Sequence, residues 1–161
     1  MPIMRVGIDD VFAAVPDPWG GGRAGPLSVD GFRYVDLGEG GTRIAYGAAG
    51  RTMLRGSHRA IRAYAESGNT VIVDELMLDE QVYPDWLVAL EGIPTLWVAV
   101  HAELAVLEQR EKARGHRPGL ARGYYDLVHH GVAYDLTIDT TQTTPESCAR
   151  EVLDAVRGRW T

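Results

Sequence analysis

The 161-residue chain contains one cysteine, Cys148, so no disulfide can form within it. A single thiol is typical of proteins that work in a reducing compartment, and we expect a cytoplasmic protein. No apolar run approaches the length of about 20 residues that an α-helix needs to cross a bilayer. The N-terminal residues MPIMRVGIDD become acidic too early for a signal peptide. We therefore expect a soluble protein with no membrane partner.

Net positive charge is also missing. The net charge of −6 argues against a broad nucleic-acid surface, and we expect no nucleic-acid partner. Neither CxxC nor HExxH occurs, so zinc is not expected. The adjacent pair His129 and His130 does not change this, because neighbouring residues on a helix point about 100° apart. A composition of 45% hydrophobic and 24% charged residues is typical of a globular protein, and we assign residues 1–161 to a single domain.

Four short apolar runs have the composition of buried β-strands, because they are rich in β-branched residues and end at Gly, Pro or Asp. They are residues 3–8, 70–76, 95–100 and 134–139. Longer amphipathic segments, which we predict to be helices, lie between and after them. These are residues 48–67, 80–90, 102–114, 120–129 and 145–156. The alternation predicts a three-layer α/β fold, with a parallel sheet between two layers of helices.

Residues 16–47 interrupt the alternation. They are rich in glycine and proline and then give FRYVDLGEGGTRIAYG, two alternating runs around GEGG. This pattern predicts a small β-hairpin at about residues 30–47, inserted at one edge of the sheet. The hairpin could cover a bound substrate, or it could only connect its neighbours. The aromatic side chains that could line such a pocket or pack in the core are Trp19, Phe32, Tyr34 and Tyr46.

Acidic and hydroxyl side chains lie at the ends of three predicted strands. Asp9 lies at the end of the first strand, Asp74 near the end of the second, and Asp139 and Thr140 at the end of the fourth. In open α/β sheets, ligands bind beyond the carboxyl ends of the strands. One carboxylate there could accept the proton of an attacking hydroxyl, and another could hold Mg²⁺. Alternatively, Asp9 or its neighbour Asp10 caps a helix that begins near residue 11, and the threonine satisfies loop backbone groups.

Three arginines are concentrated in LEQREKARGHRPG. Arg110, Arg114 and Arg117 are four and three residues apart, so a continuing helix would place them on one face. They could form a solvated helix end, where cations interact favourably with the helix dipole. However, glycine and proline break the helix there, and planar donors beside a hinge suit a mobile lid over phosphate at about residues 110–119. The residues alone leave both interpretations open.

The segments VGIDDVFAAVP and TVIVDELML, together with the stretch from TLWVAV to TPESCA, resemble chloramphenicol phosphotransferases. These are small cytosolic P-loop kinases that phosphorylate a hydroxyl of an antibiotic. The resemblance spans nearly the whole chain. It implies a P-loop kinase-like fold and an enzyme that uses ATP and Mg²⁺ to phosphorylate a small-molecule alcohol, such as an antibiotic or its precursor. It thereby connects the chain with antibiotic resistance.

Matching positions carry implied roles from that family. Asp9, in the context Gly-Ile-Asp, corresponds to the catalytic base. Arg110, Arg114 and Arg117 match the lid pattern R-x-x-x-R-G-x-R, which is intact. The resemblance implies that these arginines are catalytic and that the last two also bind the nucleotide phosphates.

Three further positions are implied to serve ATP and its metal ion. Asp74 matches the acid after the second strand of this chain and would assist Mg²⁺. Asp139 and Thr140 match a region near the nucleotide base. The position before the last lid arginine is often acidic in the family and is His116 here, which alters the charge of the lid.

The phosphate loop GxxxxGK[ST] of that family is absent. The glycine cluster GGGRAG is not followed by Lys-Ser or Lys-Thr. The family's strand order, 2-3-1-4-5, would place its first strand between the strands at residues 70–76 and 95–100 of this chain. Without that strand the two would lie roughly 10 Å apart, and each buried amide left unpaired costs about 1–3 kcal/mol.

Three arrangements would resolve this gap. The natural start could lie upstream of Met1 and include the P-loop, which is the arrangement we expect. Alternatively, the two strands could close into a four-stranded sheet, or a second chain could donate a strand, as in a homo-oligomer. ATP and Mg²⁺ binding are both weakened without the loop. We therefore expect a kinase that is weak or inactive alone. The alternatives are a non-catalytic protein that binds a small molecule or an anion, and an enzyme with repurposed chemistry.

Overall fold

The computed structural model describes residues 3–20, 24–115 and 117–160. Residues 21–23 of the glycine cluster and His116 of the predicted lid lie outside this part. The strands are β1 (Ile3–Gly7), β2 (Phe32–Gly38), β3 (Gly41–Tyr46), β4 (Thr70–Asp74), β5 (Val98–His101) and β6 (Leu136–Asp139). The helices are α1 (Ile8–Ala14), α2 (Ala48–Glu66), α3 (Val82–Ala89), α4 (Leu104–Arg114), α5 (Leu120–Tyr124) and α6 (Pro145–Trp160), with a 3₁₀ turn at Asp17–Trp19. None of these helices is both long and apolar enough to span a membrane.

Every predicted strand and helix and the hairpin are present, with shifted bounds. The helix after β1 begins at Ile8 rather than near residue 11. The helix predicted at residues 120–129 ends at Tyr124 and continues as turns, in which the Leu127 N–H donates to the Tyr124 carbonyl at 3.0 Å. Local turn hydrogen bonds therefore replace the last part of that predicted helix.

The strands form three separate pairs. β1 runs parallel to β4, from Ile3 opposite Thr70 to Gly7 opposite Asp74. β5 runs parallel to β6, and β2 is antiparallel to β3. The α/β class, the parallel pairing and the hairpin are thus confirmed. In the described residues, however, no hydrogen-bonded ladder joins β4 to β5, so the strand pairs do not make one continuous sheet between two helical layers.

The idea that β4 and β5 close into a four-stranded sheet is therefore wrong. Each strand keeps one hydrogen-bonded partner, and the remaining edges of β4 and β5 do not pair with each other. Large apolar side chains on these two strands stay exposed, since Ile72 and Val100 each retain 56% of their accessible surface. Strands with unpaired edges and exposed apolar side chains are able to pair with a further strand.

The described core is built on the apolar face of α2. Leu54, His58 and Ile61 are spaced four and three residues apart, so they share one face of the helix, and all three are buried. They pack against Val82 and Trp86 of α3. Complete burial of an aliphatic side chain of this size contributes about 1.5–3 kcal/mol. This packing fixes α2 and α3 beside the end of β4, where the candidate site begins.

Candidate functional site

The junction of β1 and α1 places two neighbouring aspartates in different roles. The Gly7 N–H donates to the Asp10 carboxylate at 2.7 Å, so Asp10 caps α1. Asp9 is exposed and makes no hydrogen bond or ion pair with any described residue. Because the neighbour does the capping, the Asp9 carboxylate is left available at the carboxyl end of β1.

A second carboxylate stands at the same edge. Asp74 is the last residue of β4 and lies opposite Gly7 in the parallel register. The two backbones approach so closely that a Cβ on Gly7 would lie 3.0 Å from the Asp74 carbonyl oxygen. Asp74 is exposed and, among the described residues, has no hydrogen bond or ion pair. Asp9, two residues after β1, and Asp74, the last residue of β4, thus both lie at the carboxyl end of this strand pair, and neither has a cationic partner among the described residues.

The carboxyl ends of β5 and β6 are already occupied by internal contacts. Arg110 donates to the Thr140 hydroxyl at 2.9 Å and to its carbonyl at 2.6 Å. That hydroxyl donates to the His101 carbonyl at 2.9 Å. The Asp139 carboxylate accepts the Thr141 N–H at 2.7 Å. Hydrogen bonding from the Thr141 side chain, and then from this N–H, holds the pKa of Asp139 below its ordinary value. The fold therefore brings Arg110 and Thr140 together, but in this conformation they form hydrogen bonds with each other.

The three arginines have three different surroundings. α4 ends at Arg114 because Gly115 adopts a left-handed conformation, with φ 68°. The helix therefore does not continue to Arg117, whose guanidinium carbon lies 4.1 Å from the centre of the Tyr34 ring on β2. Arg114 is exposed and, within the described ranges, forms no hydrogen bond or ion pair. Arg110 is thus bound to Thr140 at the end of β6, and Arg117 contacts the hairpin. The guanidinium of Arg114 is available to a ligand.

A buried cluster behind Asp74 was not anticipated from the sequence. Glu75 accepts the Leu76 N–H at 2.9 Å and the Trp86 indole N–H at 3.0 Å. Its other near neighbour is His58, whose Nε2 lies 3.8 Å from the carboxylate. Burial raises the pKa of Glu75 to about 7 and lowers the pKa of His58 to about 4. Both groups favour their neutral forms, so this contact is not a salt bridge.

The two histidines named from the sequence have different surroundings. His129 is half-buried and its ring lies tilted against that of His101, with ring centres 3.8 Å apart, whereas His130 is exposed. The Nδ1 atom of His129 lies 2.9 Å from the Tyr134 hydroxyl. Burial lowers the pKa of His129. Across the described residues, no three His, Cys, Asp or Glu side chains are grouped as ligands for a metal ion.

Two clefts lie away from the predicted site residues. A cavity of about 190 Å³ between α2 and α3 is lined by Arg55, His58, Arg59, Asp85, Val88 and Ala89. A groove of about 580 Å³ lies beside the C-terminal end of α3 and includes Tyr83, Trp97 and Trp160. Asp9 and the three lid arginines line neither cleft. Their convergence on a single pocket therefore stays a prediction.

These features define an α/β protein with unpartnered carboxylates at the carboxyl end of the β1–β4 pair and with arginines in and just after α4, one of which contacts the hairpin. The chain belongs to the chloramphenicol phosphotransferase-like protein family, whose sequence model matches residues 2–157. It is also similar to two Mycobacterium tuberculosis proteins named "Putative O-phosphotransferase", from strains CDC 1551 / Oshkosh and ATCC 25618 / H37Rv. Each is 36% identical over 100 residues, which is 62% of this chain and 44% of the relative. The match thus spans less than half the length of either relative.

Proposed function

We propose that this chain carries the acceptor side of an ATP-dependent O-phosphotransferase, which phosphorylates a hydroxyl of a small molecule such as an antibiotic or its precursor. The supporting observation is the division of roles at α1, where Asp10 caps the helix and leaves Asp9 without a partner among the described residues. The chain's family and the names of its relatives support the same reaction class.

Asp9 acts as the general base in this proposal. Its carboxylate accepts a hydrogen bond from the substrate hydroxyl, orients the oxygen and takes the proton as that oxygen becomes a phosphate ester. Bound ATP would supply the phosphoryl group and leave as ADP, and Mg²⁺ would offset the charge of the phosphates. Asp74 can hold the metal ion through water, and the unpaired guanidinium of Arg114 can bind phosphate oxygens. Asp139 and Thr140 remain the proposed contacts near the nucleotide base.

The residues present fit only part of an ATP site. The sequence contains no glycine-rich loop with a following lysine, which would surround the phosphates with backbone amides. The edges of β4 and β5 also lack a common neighbour in the described fold. We therefore propose that efficient transfer needs a strand and a phosphate loop between β4 and β5, supplied from outside residues 1–161.

The experiment compares Asp9→Asn with Asp10→Asn in a version extended at its N-terminus by a strand and a GxxxxGK[ST] loop. Asparagine retains the capping function, so Asp10→Asn is a matched control that removes a neighbouring carboxylate but not the cap. We expect Asp9→Asn to lower kcat by about 10²–10⁴-fold, and Asp10→Asn to stay within about three-fold of wild type. Equal losses in the two variants would contradict the role of Asp9.

The competing proposal is a non-catalytic protein that binds a small molecule or an anion. The exposed Arg114, which has no hydrogen bond or ion pair among the described residues, could hold an anion without any transfer step. Isothermal titration calorimetry separates the two functions. Binding of a chloramphenicol-like alcohol without any binding of ADP, by both the chain and its extended version, would support the non-catalytic protein and exclude the kinase.

A further inference from the structure

The hairpin and the segment that follows α4 are joined through their backbones. The Thr42 N–H donates to the Gly119 carbonyl at 2.8 Å, and the Thr42 hydroxyl donates to the Pro118 carbonyl at 3.2 Å. Arg43 of the same strand donates from Nε to the Gly123 carbonyl at 2.5 Å. These contacts join β3 to residues 76 to 80 positions away in sequence, so the connection is tertiary rather than local.

Tyr124 completes this connection in the buried interior. Its hydroxyl donates to the Ile44 carbonyl at 3.1 Å and accepts the Ile44 N–H at 2.9 Å, so one side chain satisfies both backbone groups. The neighbouring Gly123 leaves no space between α5 and β3, since a Cβ there would lie 2.0 Å from the Thr42 carbonyl oxygen. The hairpin and α5 are therefore packed as one unit.

The same unit is tied back to α4. Glu111 accepts the Gly119 N–H at 2.7 Å and the Ala121 N–H at 2.9 Å, so its carboxylate caps the start of α5. Arg117 thus lies between two fixed points, the end of α4 and the start of α5. The Arg117 side chain contacts the hairpin at Tyr34.

The contact with Tyr34 leaves the arginine able to bind an anion. A cation over an aromatic ring uses the face of the planar guanidinium, whereas a carboxylate partner would occupy its N–H edge. Arg117 has no carboxylate partner among the described residues. Tyr34 therefore orients Arg117 without using the donors that a phosphate would need.

We propose that Tyr34 is a positioning residue for Arg117, and that the hairpin thereby sets where this arginine meets the phosphate groups of its ligand. The inference rests on the proposed function for its role in turnover, but the contact and its effect on anion binding can be tested without turnover.

The test uses inorganic pyrophosphate as the probe, with titration calorimetry on the whole chain. An exposed cation–π contact is worth about 0.5–1 kcal/mol, which corresponds to a factor of about two to five in affinity. We expect Tyr34→Leu to weaken pyrophosphate binding by about that factor, and Tyr34→Phe, which retains the ring, to bind like wild type. In an Arg117→Met background, Tyr34→Leu should have no further effect.

Three results would overturn the proposal: no pyrophosphate binding by the wild-type chain, equal affinities of wild type and Tyr34→Leu, or the same loss from Tyr34→Leu whether or not Arg117 is present. A separate kcat measurement on the version extended by a strand and phosphate loop tests the kinase. Absence of turnover there, with the expected pyrophosphate pattern, would reject the proposed function and retain the positioning role.

Discussion

Replacing Glu75 with glutamine should change how the stability of the protein depends on pH. Burial raises the pKa of Glu75 from 4.5 to about 7, so between these values the folded chain holds a proton that the unfolded chain has released. The stabilisation from the neutral carboxyl is complete below pH 4.5 and is lost as the pH rises to about 7. Each pH unit in this interval lowers the free energy of unfolding by about 1.4 kcal/mol.

His58 acts in the opposite direction. Burial lowers its pKa from 6.5 to about 4, so between these values the unfolded chain binds a proton that the folded chain does not. The stabilisation from the neutral imidazole is complete above pH 6.5 and is lost as the pH falls to about 4. Each residue contributes a change of about 3 kcal/mol over its interval. The two slopes cancel where the intervals overlap, so the wild-type pair adds almost no net pH dependence there.

Replacing either residue alone should reveal the pH dependence of stability that the other contributes. Relative to wild type, Glu75→Gln should gain about 3 kcal/mol of stability as the pH rises from 4.5 to 7, because the falling contribution of the carboxyl has been removed. Relative to wild type, His58→Phe, which keeps a ring against Trp86, should lose a similar amount between pH 4 and 6.5. Comparison with wild type at each pH cancels the contributions of the other titrating groups.

Urea unfolding, followed by tryptophan fluorescence at six or more pH values, measures these differences. Trp86 contacts both residues and reports on the cluster directly. If His58 and Glu75 instead formed a salt bridge, the pKa of Glu75 would lie below its ordinary value. Glu75→Gln would then lose stability relative to wild type as the pH rises, and this loss would occur below the interval from 4.5 to 7. A flat difference curve for Glu75→Gln would show that the carboxyl is not held neutral, and the reasoning would be refuted.

The connection between the hairpin and α5 gives two more predictions, each with a matched control. Tyr124→Phe leaves the Ile44 N–H and carbonyl without their partner and should cost about 1–3 kcal/mol in urea unfolding, whereas the exposed neighbour Tyr125→Phe should be almost neutral. Comparable losses in the two would show that the buried hydrogen bonds contribute little. Gly123→Ala puts a Cβ 2.0 Å from the Thr42 carbonyl oxygen and should cost more than about 1 kcal/mol. Gly158→Ala on α6 meets open space and should be neutral or stabilise by up to about 1 kcal/mol. A stable Gly123→Ala variant would contradict the close packing.

Much of the local structure could be predicted from the sequence because it depends on local patterns. β-branched runs predicted the strands, and the alternating residues around GEGG predicted the hairpin. The choice between Asp9 and Asp10 as cap could not be made, since it depends on backbone angles at Gly7. The position of Arg117 could not be predicted either. Gly115, in its left-handed conformation, ends α4, and Arg117 contacts the ring of Tyr34, more than 80 positions earlier in sequence.

Long-range contacts explain the other differences. His58 fits the apolar face of α2 at helical spacing, but nothing local indicates that it meets Glu75 or stacks on Trp86. The closure of β4 onto β5 is wrong for a related reason. The position of each strand is set by its own partner and by helix packing, and the unpaired edges alone did not bring the two together.

The most direct measurement is the formation of a phosphorylated alcohol from ATP, Mg²⁺ and chloramphenicol-like alcohols, detected by mass spectrometry. The assay compares the 161-residue chain with the version extended by a strand and a phosphate loop. We expect product from the extended version, little or none from the chain alone, and none above background from extended Asp9→Asn. Failure of both versions to form product, under conditions where the extended version is folded and binds ADP, would contradict the assignment as an O-phosphotransferase.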